Sequence, residues 1–137
     1  MQDLPVFEFG FPGPLRDRLV AAVLDGSKTT TTALAQDYEL DQEPPPVPGY
    51  RATVIDSAGE PVAVIEMLTV RVVRLGDVDL QHALDEGEGD ESVAQWRAGH
   101  EGFWHGADYR GWLNDPDFTV TDDTLAVLQR FRVADRV

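Results

Sequence analysis

Apolar side chains repeat at helical spacing in one stretch near the start of the chain. Between Gly13 and Gly26 they recur three or four positions apart, at Leu15, Leu19, Ala22 and Val23. Pro14 suits the first turn of a helix, and Gly26 suits the position just after its end. The pattern predicts a helix over residues 14–25, whose carboxyl end faces the polar run Ser27–Thr32.

Three later segments alternate between apolar and polar positions and predict strands. Residues 50–56 and 61–73 flank the turn sequence Ser57–Glu60, an arrangement that is typical of a β-hairpin. Residues 125–133 alternate in the same way and predict a closing strand. The four threonines at 29–32 are β-branched, so they also favour an extended path.

The second strand of the hairpin carries a carboxylate among apolar side chains. With a period of two, Glu66 shares a face with Val62, Val64, Leu68, Val70 and Val72. A carboxylate in such a row needs a partner or a raised pKa, because an isolated charge is costly away from water. The alternative is a bulge at Met67 that turns Glu66 outward.

Two further helices follow the hairpin. One is predicted over residues 78–85, with Asp77 or Asp79 as its amino-terminal cap. The other is predicted over residues 91–100, with Asp90 as its cap, directly after the acidic and glycine-rich run that precedes it.

The remaining segments predict loops. Residues 36–49 are acidic and rich in proline, so they form either a solvated connector, an interaction surface or a flap over a pocket. Residues 105–118 have no clear period and predict irregular structure. With no repeat or linker, residues 1–137 predict a single α+β domain with a curved sheet or open barrel.

The composition limits the classes of function. The 137-residue chain has no cysteine, which excludes disulfides, thiolate zinc sites and cysteine nucleophiles. Neither a signal peptide nor a membrane-spanning run is evident, so we expect a soluble cytoplasmic protein without a membrane partner. The formal net charge of −14 repels polyanions, which argues against duplex DNA and favours small ligands or short single strands.

Lys28 is the only lysine of the chain, and arginines supply all the other positive side chains. An ammonium group is a compact donor that can give or accept a proton, which a guanidinium cannot. If burial strips part of its solvation, Lys28 can act as a base. The preceding helix end and the surrounding acids instead favour the charged form, which suits the binding of an oxyanion or a phosphate.

Several short sequences together resemble the ASCH domain family, which has a PUA-like fold. They are Gly26-Ser27-Lys28-Thr29, Asp37-Tyr38-Glu39, Val64-Ile65-Glu66, and Glu86-Gly87-Glu88-Gly89-Asp90-Glu91-Ser92 with Trp96-Arg97. The resemblance extends over residues 7–133. It implies a curved β-barrel flanked by helices, with a cleft between the lysine turn and the acidic loop.

The resemblance also implies partners and chemistry. RNA, a nucleotide or a modified nucleoside is the expected ligand: some ASCH proteins cleave single-stranded RNA with metal assistance, and small bacterial members hydrolyse the amide of acetylated cytidine. The hydrolase type implies Lys28, Thr31 and Glu88 as catalytic residues, with Glu86 and Asp90 competing for the role of the acid. A noncatalytic RNA- or nucleotide-binding module is the alternative.

In the hydrolytic reading, Lys28 takes the proton of Thr31 while the hydroxyl attacks an amide carbonyl. A regular strand places residues 28 and 31 on opposite faces, so the pair requires a turn or bulge, and Thr30 is the alternative nucleophile. The substrate-binding residues that we expect are Thr30, Tyr38, Glu66, Asp90, Trp96 and Arg97.

Tyr38 or Trp96 could stack on a base, although core packing on its helix is the favoured interpretation of Trp96. The three histidines have no metal-binding spacing, and we assign no metal ligand. The acidic loop could still hold a divalent cation such as magnesium through carboxylate oxygens, or form a solvated turn.

Overall fold

The computed structural model describes residues 4–137, in which five strands form one open sheet. The strand order is β1-β3-β4-β5-β2, with β1 and β3 parallel and the other neighbours antiparallel. The strands are β1 (Val6–Phe7), β2 (Thr30–Leu34), β3 (Arg51–Ile55), β4 (Pro61–Arg74) and β5 (Leu125–Arg136). The long strands β4 and β5 pair over most of their length and form the centre of the sheet.

Within residues 4–137, five α-helices and one short 3-10 helix, Leu75–Asp77, accompany the sheet. The helices are α1 (Pro14–Asp25), α2 (Ala35–Leu40), α3 (Leu80–Asp85), α4 (Val93–Trp104) and α5 (Ala107–Leu113). Pro14 opens α1, and Gly26 ends it with a φ of 88°, a left-handed conformation that suits glycine. Among residues 4–137, no helix is both long and apolar enough to cross a membrane.

Two hydrophobic clusters lie in the interior. One packs α1 against the β3–β4–β5 region and includes Val23, Val54, Ile65 and Phe131. The other packs α3, α4 and α5 against β2 and β5 and includes Leu34, Trp96, Trp104 and Leu128. The two residues before β2 connect to both α1 and α3, since the N–H of Lys28 donates to the carbonyl of Ala22 and the N–H of Thr29 donates to the carbonyl of Asp85.

The predicted helix α1, the hairpin β3–β4, the extended threonines and the closing strand β5 are all confirmed. The predicted barrel is wrong in one respect, since the sheet does not close. Among residues 4–137, the two-residue strand β1 pairs only with β3 and the edge strand β2 pairs only with β5, so the outer strands do not meet.

Several local predictions need correction. Residues 105–118 contain helix α5, and the loop predicted over residues 36–49 begins with helix α2. The helix predicted over residues 78–85 is shorter than expected, since α3 begins at Leu80, and the 3-10 helix ends before the predicted range. Ser92 rather than Asp90 caps α4, because its hydroxyl accepts the N–H of Gln95 at 3.1 Å.

The prediction of which residues of β4 face the core is also wrong. The residues that face the core are Ala63, Ile65 and Met67, which puts Glu66 on the opposite side. Beyond them the ladder with β5 shifts register, and Val72 is 53% exposed. Both sides of β4 carry apolar residues, so the alternation could not select the buried side.

Candidate functional site

A cleft of about 1220 Å³ lies between the start of β2, the segment after α3, and the loop after α2. Its lining includes three buried polar residues, namely Lys28, Glu86 and Gln129. Aromatic rings form much of its wall, namely Phe7, Phe9, Phe11, Tyr38, Tyr50, Phe103, Trp104, Tyr109 and Trp112. Polar groups at the end of an apolar cleft are the usual arrangement of a small-molecule site.

The ammonium of Lys28 lies inside the protein, with 2% of the residue exposed. Its Nζ atom donates to the carbonyl of Thr30 at 2.8 Å, to Oε1 of Glu86 at 3.1 Å and to the carbonyl of Glu86 at 3.4 Å. The ring of Phe9 lies 5.8 Å away and contributes a cation–π contact. Three acceptors match the three protons of an ammonium group, so Lys28 is well matched to its site in the charged form.

Gly87 explains how Glu86 reaches Lys28. Its φ is 71°, and a Cβ at this position would lie 2.4 Å from the carbonyl oxygen of Ser27, so only glycine allows the two backbones to approach. The N–H of Thr29 donates to the carbonyl of Asp85 at 2.8 Å and joins the same two segments. The acidic, glycine-rich sequence therefore packs directly on the lysine turn.

Glu86 is the centre of the polar network. Its Oε2 atom accepts hydrogen bonds from the hydroxyl of Thr32 at 2.6 Å and from Nε1 of Trp96 at 2.8 Å. Burial alone raises the pKa of this carboxyl, but the charges of Lys28 and His100 and the hydrogen bonds outweigh it and hold the pKa well below its ordinary value. Glu86 is therefore a buried anion that a cation and several donors neutralise.

His100 approaches the same carboxylate from α4. Its Nδ1 atom lies 2.9 Å from the carbonyl of Trp96, and its Nε2 atom lies 3.3 Å from Oε2 of Glu86. Burial lowers the pKa of the imidazole, but the nearby Glu86 carboxylate has the larger combined effect, so the pKa is raised. An imidazolium donates from both nitrogens and matches these two acceptors.

One set of side chains in the cleft could hold a metal ion. Glu86, Glu88 and His100 each offer a ligand atom, and these atoms lie within 4.8 Å of one another. A divalent cation would compete with Lys28 for the Glu86 carboxylate, and it would require the proton-free form of His100.

The threonines after Lys28 differ in accessibility. Thr30 is fully buried and donates to the carbonyl of His82 at 2.9 Å, so its hydroxyl is already engaged. Thr31 and Thr32 both line the cleft. Thr32 has the hydrogen-bonded position beside Glu86, and its hydroxyl also lies 2.7 Å from Nε2 of His82.

Three other expected site residues also line the cleft. Glu88 and Asp90 lie on its rim, where Arg18 approaches the Glu88 carboxylate at 3.6 Å. Tyr38 lies on the wall, and its hydroxyl accepts a hydrogen bond from Nε2 of Gln129 at 2.9 Å.

Three expected binding residues lie elsewhere. Trp96 is 0% exposed and stacks on His100, so its ring has no face open to a ligand. Glu66 lies outside the cleft, where Arg51 and Arg132 bind its carboxylate and hold its pKa below the ordinary value. Arg97 lies on the outer side of α4 and pairs with acidic residues there, namely Glu101 and Asp122.

Sequence reasoning missed four residues of the site, namely Thr32, His82, His100 and Gln129. Thr32 was within the threonine run, but nothing in the sequence distinguished it from its neighbours. The others depend on contacts between segments that are far apart in the chain, such as Thr32 with His82. A buried glutamine in the alternating pattern of β5 was a visible signal, because Gln129 lies among Val127, Leu128 and Phe131.

Comparisons with known proteins identify a family and two similar solved structures. The family model described as an ASCH domain matches residues 6–135. A crystal structure of protein EF3133 from Enterococcus faecalis V583 is 25% identical, with a TM-score of 0.84, over 99% of this chain and 79% of that one. The crystal structure of an ASCH domain from Lactobacillus crispatus JV V101 is 26% identical, with a TM-score of 0.81, over 97% of this chain and 80% of that one. Among curated proteins, none is similar enough to count as a match.

Proposed function

The chain belongs to the ASCH domain family, and we propose that its cleft binds acylated nucleosides of the cytidine type and hydrolyses their amide bond. Family membership supports an RNA-related role at a coarse level. The observation that carries the finer proposal is the hydrogen-bonded set of Lys28, Glu86 and Thr32 at the end of an aromatic cleft.

Charge favours a nucleoside over RNA or a nucleotide. Seven of the side chains that line the cleft are carboxylates, whereas three positive groups line it within residues 4–137, namely Arg18, Lys28 and the imidazolium of His100. Lys28 already faces Glu86 at 3.1 Å, which neutralises much of its field. A phosphate would enter against this acidic lining, while an uncharged nucleoside would not be repelled.

The proposed reaction begins with a threonine hydroxyl that attacks the amide carbonyl of the ligand. The new bond joins Oγ1 to the carbonyl carbon, and the proton of the hydroxyl passes to the carboxylate of Glu88. The C–N bond then breaks as Glu88 returns this proton to the leaving amine. Water hydrolyses the resulting ester and restores the threonine. Lys28 stabilises the negative charge that develops beside it.

Two threonines compete for the role of nucleophile. Thr31 corresponds to the residue that the family resemblance implies and has a cleft-facing position. Thr32 also lines the cleft, and its hydroxyl is oriented by a hydrogen bond to the buried carboxylate of Glu86. Glu88, half-buried at the rim, is the proposed proton donor for the leaving amine.

Turnover of N4-acetylcytidine tests the proposal. We expect the wild-type protein to release acetate, and the variant that removes the nucleophile, Thr31→Val or Thr32→Val, to lose roughly 10²–10⁴-fold in kcat. Glu88→Gln should lose less than the nucleophile variant. The matched control is Thr69→Val, an exposed threonine of β4 outside the cleft, which should retain wild-type turnover.

The results separate the candidate functions. Absence of turnover in the wild-type protein together with saturable binding of the nucleoside would favour the noncatalytic binding module, which the aromatic wall of the cleft also suits. Equal turnover in all variants would refute the assigned residues. Cleavage of single-stranded RNA by the wild-type protein, with no activity on the nucleoside, would refute the argument from charge.

A further inference from the structure

Gln129 lines the cleft, and one polar atom of its side chain has no hydrogen-bond partner among the described residues. The residue is 0% exposed and lines the cleft. Its Nε2 atom donates to the hydroxyl of Tyr38 at 2.9 Å, but its Oε1 atom has no hydrogen-bond partner among residues 4–137. A buried acceptor without a partner is unfavourable by itself, so its retention in a central strand calls for an explanation.

The position of Gln129 is fixed by the sheet on both sides. In β5 it pairs with Thr31 of β2 and with Val70 of β4. The carboxamide therefore projects from a rigid central strand, directly beside one of the two cleft threonines. A recognition group on such a strand is held more precisely than one on a loop.

Tyr38 supplies the second half of the arrangement. Its hydroxyl oxygen already accepts the Gln129 N–H, which leaves its own proton free to be donated into the cleft. Burial is the main reason that the pKa of Tyr38 is raised to about 12, so the hydroxyl keeps that proton at neutral pH. Rotating the carboxamide by half a turn would exchange its two ends, but one end would still lack a partner.

We propose that Gln129 and Tyr38 recognise a ligand edge that carries an N–H donor beside an acceptor. Oε1 of Gln129 accepts the ligand N–H, and the Tyr38 hydroxyl donates to the neighbouring acceptor. This inference rests on the proposed function and deepens it, because N4–H and N3 of an acylated cytosine form such an edge. The contact would place the N4 amide next to Thr31, on the strand that pairs with Gln129.

The arrangement also predicts selectivity. A buried acceptor without a protein partner gains a hydrogen bond when a ligand N–H reaches it. A ligand without that N–H leaves the acceptor unpaired and buries it further. A site of this kind discriminates strongly against analogues that lack the donor.

Stability of the free protein provides the first test. Gln129→Met removes the unpaired acceptor with little change in volume, so we expect an equal or higher denaturation midpoint than that of the wild type. Gln81→Met, an exposed glutamine on α3, is the matched control. Tyr38→Phe shows the effect of losing only the hydroxyl. A clear fall in the midpoint for Gln129→Met, beyond that of Tyr38→Phe, would indicate a structural role and overturn the inference.

Binding provides the second test, with cytidine and its 4-deamino analogue, the pyrimidin-2-one ribonucleoside, as probes. The analogue has hydrogen in place of the amino group, so it loses the donor without added bulk. The wild-type protein should bind cytidine roughly tenfold more tightly, the ratio that one such hydrogen bond supplies. Gln129→Met should bind the two probes equally, and Gln81→Met should keep the wild-type preference.

The outcomes distinguish this inference from the proposed function. A wild-type preference for cytidine that persists in Gln129→Met would overturn the inference while leaving the proposed function intact. A preference for the analogue would overturn it as well. If the wild-type protein binds neither probe, the proposed function fails for this ligand class. The stability test then decides alone. A lower denaturation midpoint for Gln129→Met overturns the inference, and an unchanged or higher midpoint supports recognition of an N–H donor on a ligand of another chemical class.

Discussion

Replacing Glu86 by glutamine tests whether the polar network in the cleft is a true buried ion pair. The change keeps the shape of the side chain and leaves an acceptor for Trp96 or Thr32, but it removes the charge that faces Lys28 at 3.1 Å. Both partners are almost completely buried. The ammonium would remain in the interior with only backbone carbonyls as partners.

The expected loss of stability is large. Removing one partner of a buried ion pair typically costs about 3–5 kcal/mol, because the remaining charge stays unpaired away from water. For a domain of this size, a loss of that order lowers the thermal midpoint by roughly 10 °C. The comparable loss for an exposed pair, such as Arg71 with Asp79, is at most about 1 kcal/mol.

Urea denaturation at neutral pH measures this difference. Asp79→Asn, which breaks the exposed pair with Arg71, is the matched control for a carboxylate-to-amide change. The double variant Lys28→Met with Glu86→Gln removes both charges and should recover part of the stability lost in Glu86→Gln, since no unpaired ion remains. A loss below about 1 kcal/mol for Glu86→Gln alone would refute the buried ion pair.

The pH dependence provides an independent check. The pKa of Glu86 is lowered by folding, so its contribution to stability is present above the ordinary carboxyl value of 4.5 and is lost as the pH falls through the lower folded value. The stability gap between the wild type and Glu86→Gln should therefore be constant between pH 4.5 and pH 6.5, below which His100 keeps its full contribution, and should narrow in stronger acid. A gap that instead widens on acidification would contradict the assignment.

Three further predictions concern neighbouring features. In urea denaturation, Gly87→Ala should lower the free energy of unfolding by about 1–3 kcal/mol more than Gly89→Ala does. Both glycines have a positive φ, but of the two only Gly87 lies against the Ser27 backbone. Equal losses of stability would refute the close approach. Folding raises the pKa of His100, so the stability that its charged form contributes is full below pH 6.5 and is lost as the pH rises through the pKa of the folded state. In urea denaturation, His100→Gln should therefore approach wild-type stability at alkaline pH. A difference in stability that stays constant with pH would contradict this. Magnesium chloride should leave the thermal midpoint unchanged, because Lys28 and the protonated His100 already bind the Glu86 carboxylate. A rise in the midpoint that Glu88→Gln abolishes would establish the metal site.

Much of the fold followed from local patterns. Helix α1 has a clear helical period between Pro14 and Gly26, and the strands of the hairpin flank an evident turn. The family resemblance is confirmed by the match over residues 6–135. Helix α5 was missed because its seven residues are too few to display a period, and tertiary packing of Tyr109 stabilises it instead.

The site was predictable only in part. Lys28 and the acidic run were identified as neighbours through the resemblance, and they lie in contact in the structure. The partners of Glu86 could not be chosen from the sequence, because Trp96, His100 and Thr32 reach it from three different elements. Likewise, the direction of Glu66 depended on which side of β4 faces α1, and that is decided by packing and not by alternation.

The burial of Lys28 has a practical consequence for measuring motion. It is the only side chain of the protein with a primary amine, and it is 2% exposed. A reagent that acylates amines can modify this side chain only when the lysine turn and the acidic loop separate. The rate of that single modification would therefore report how often this part of the protein opens, without any engineered label.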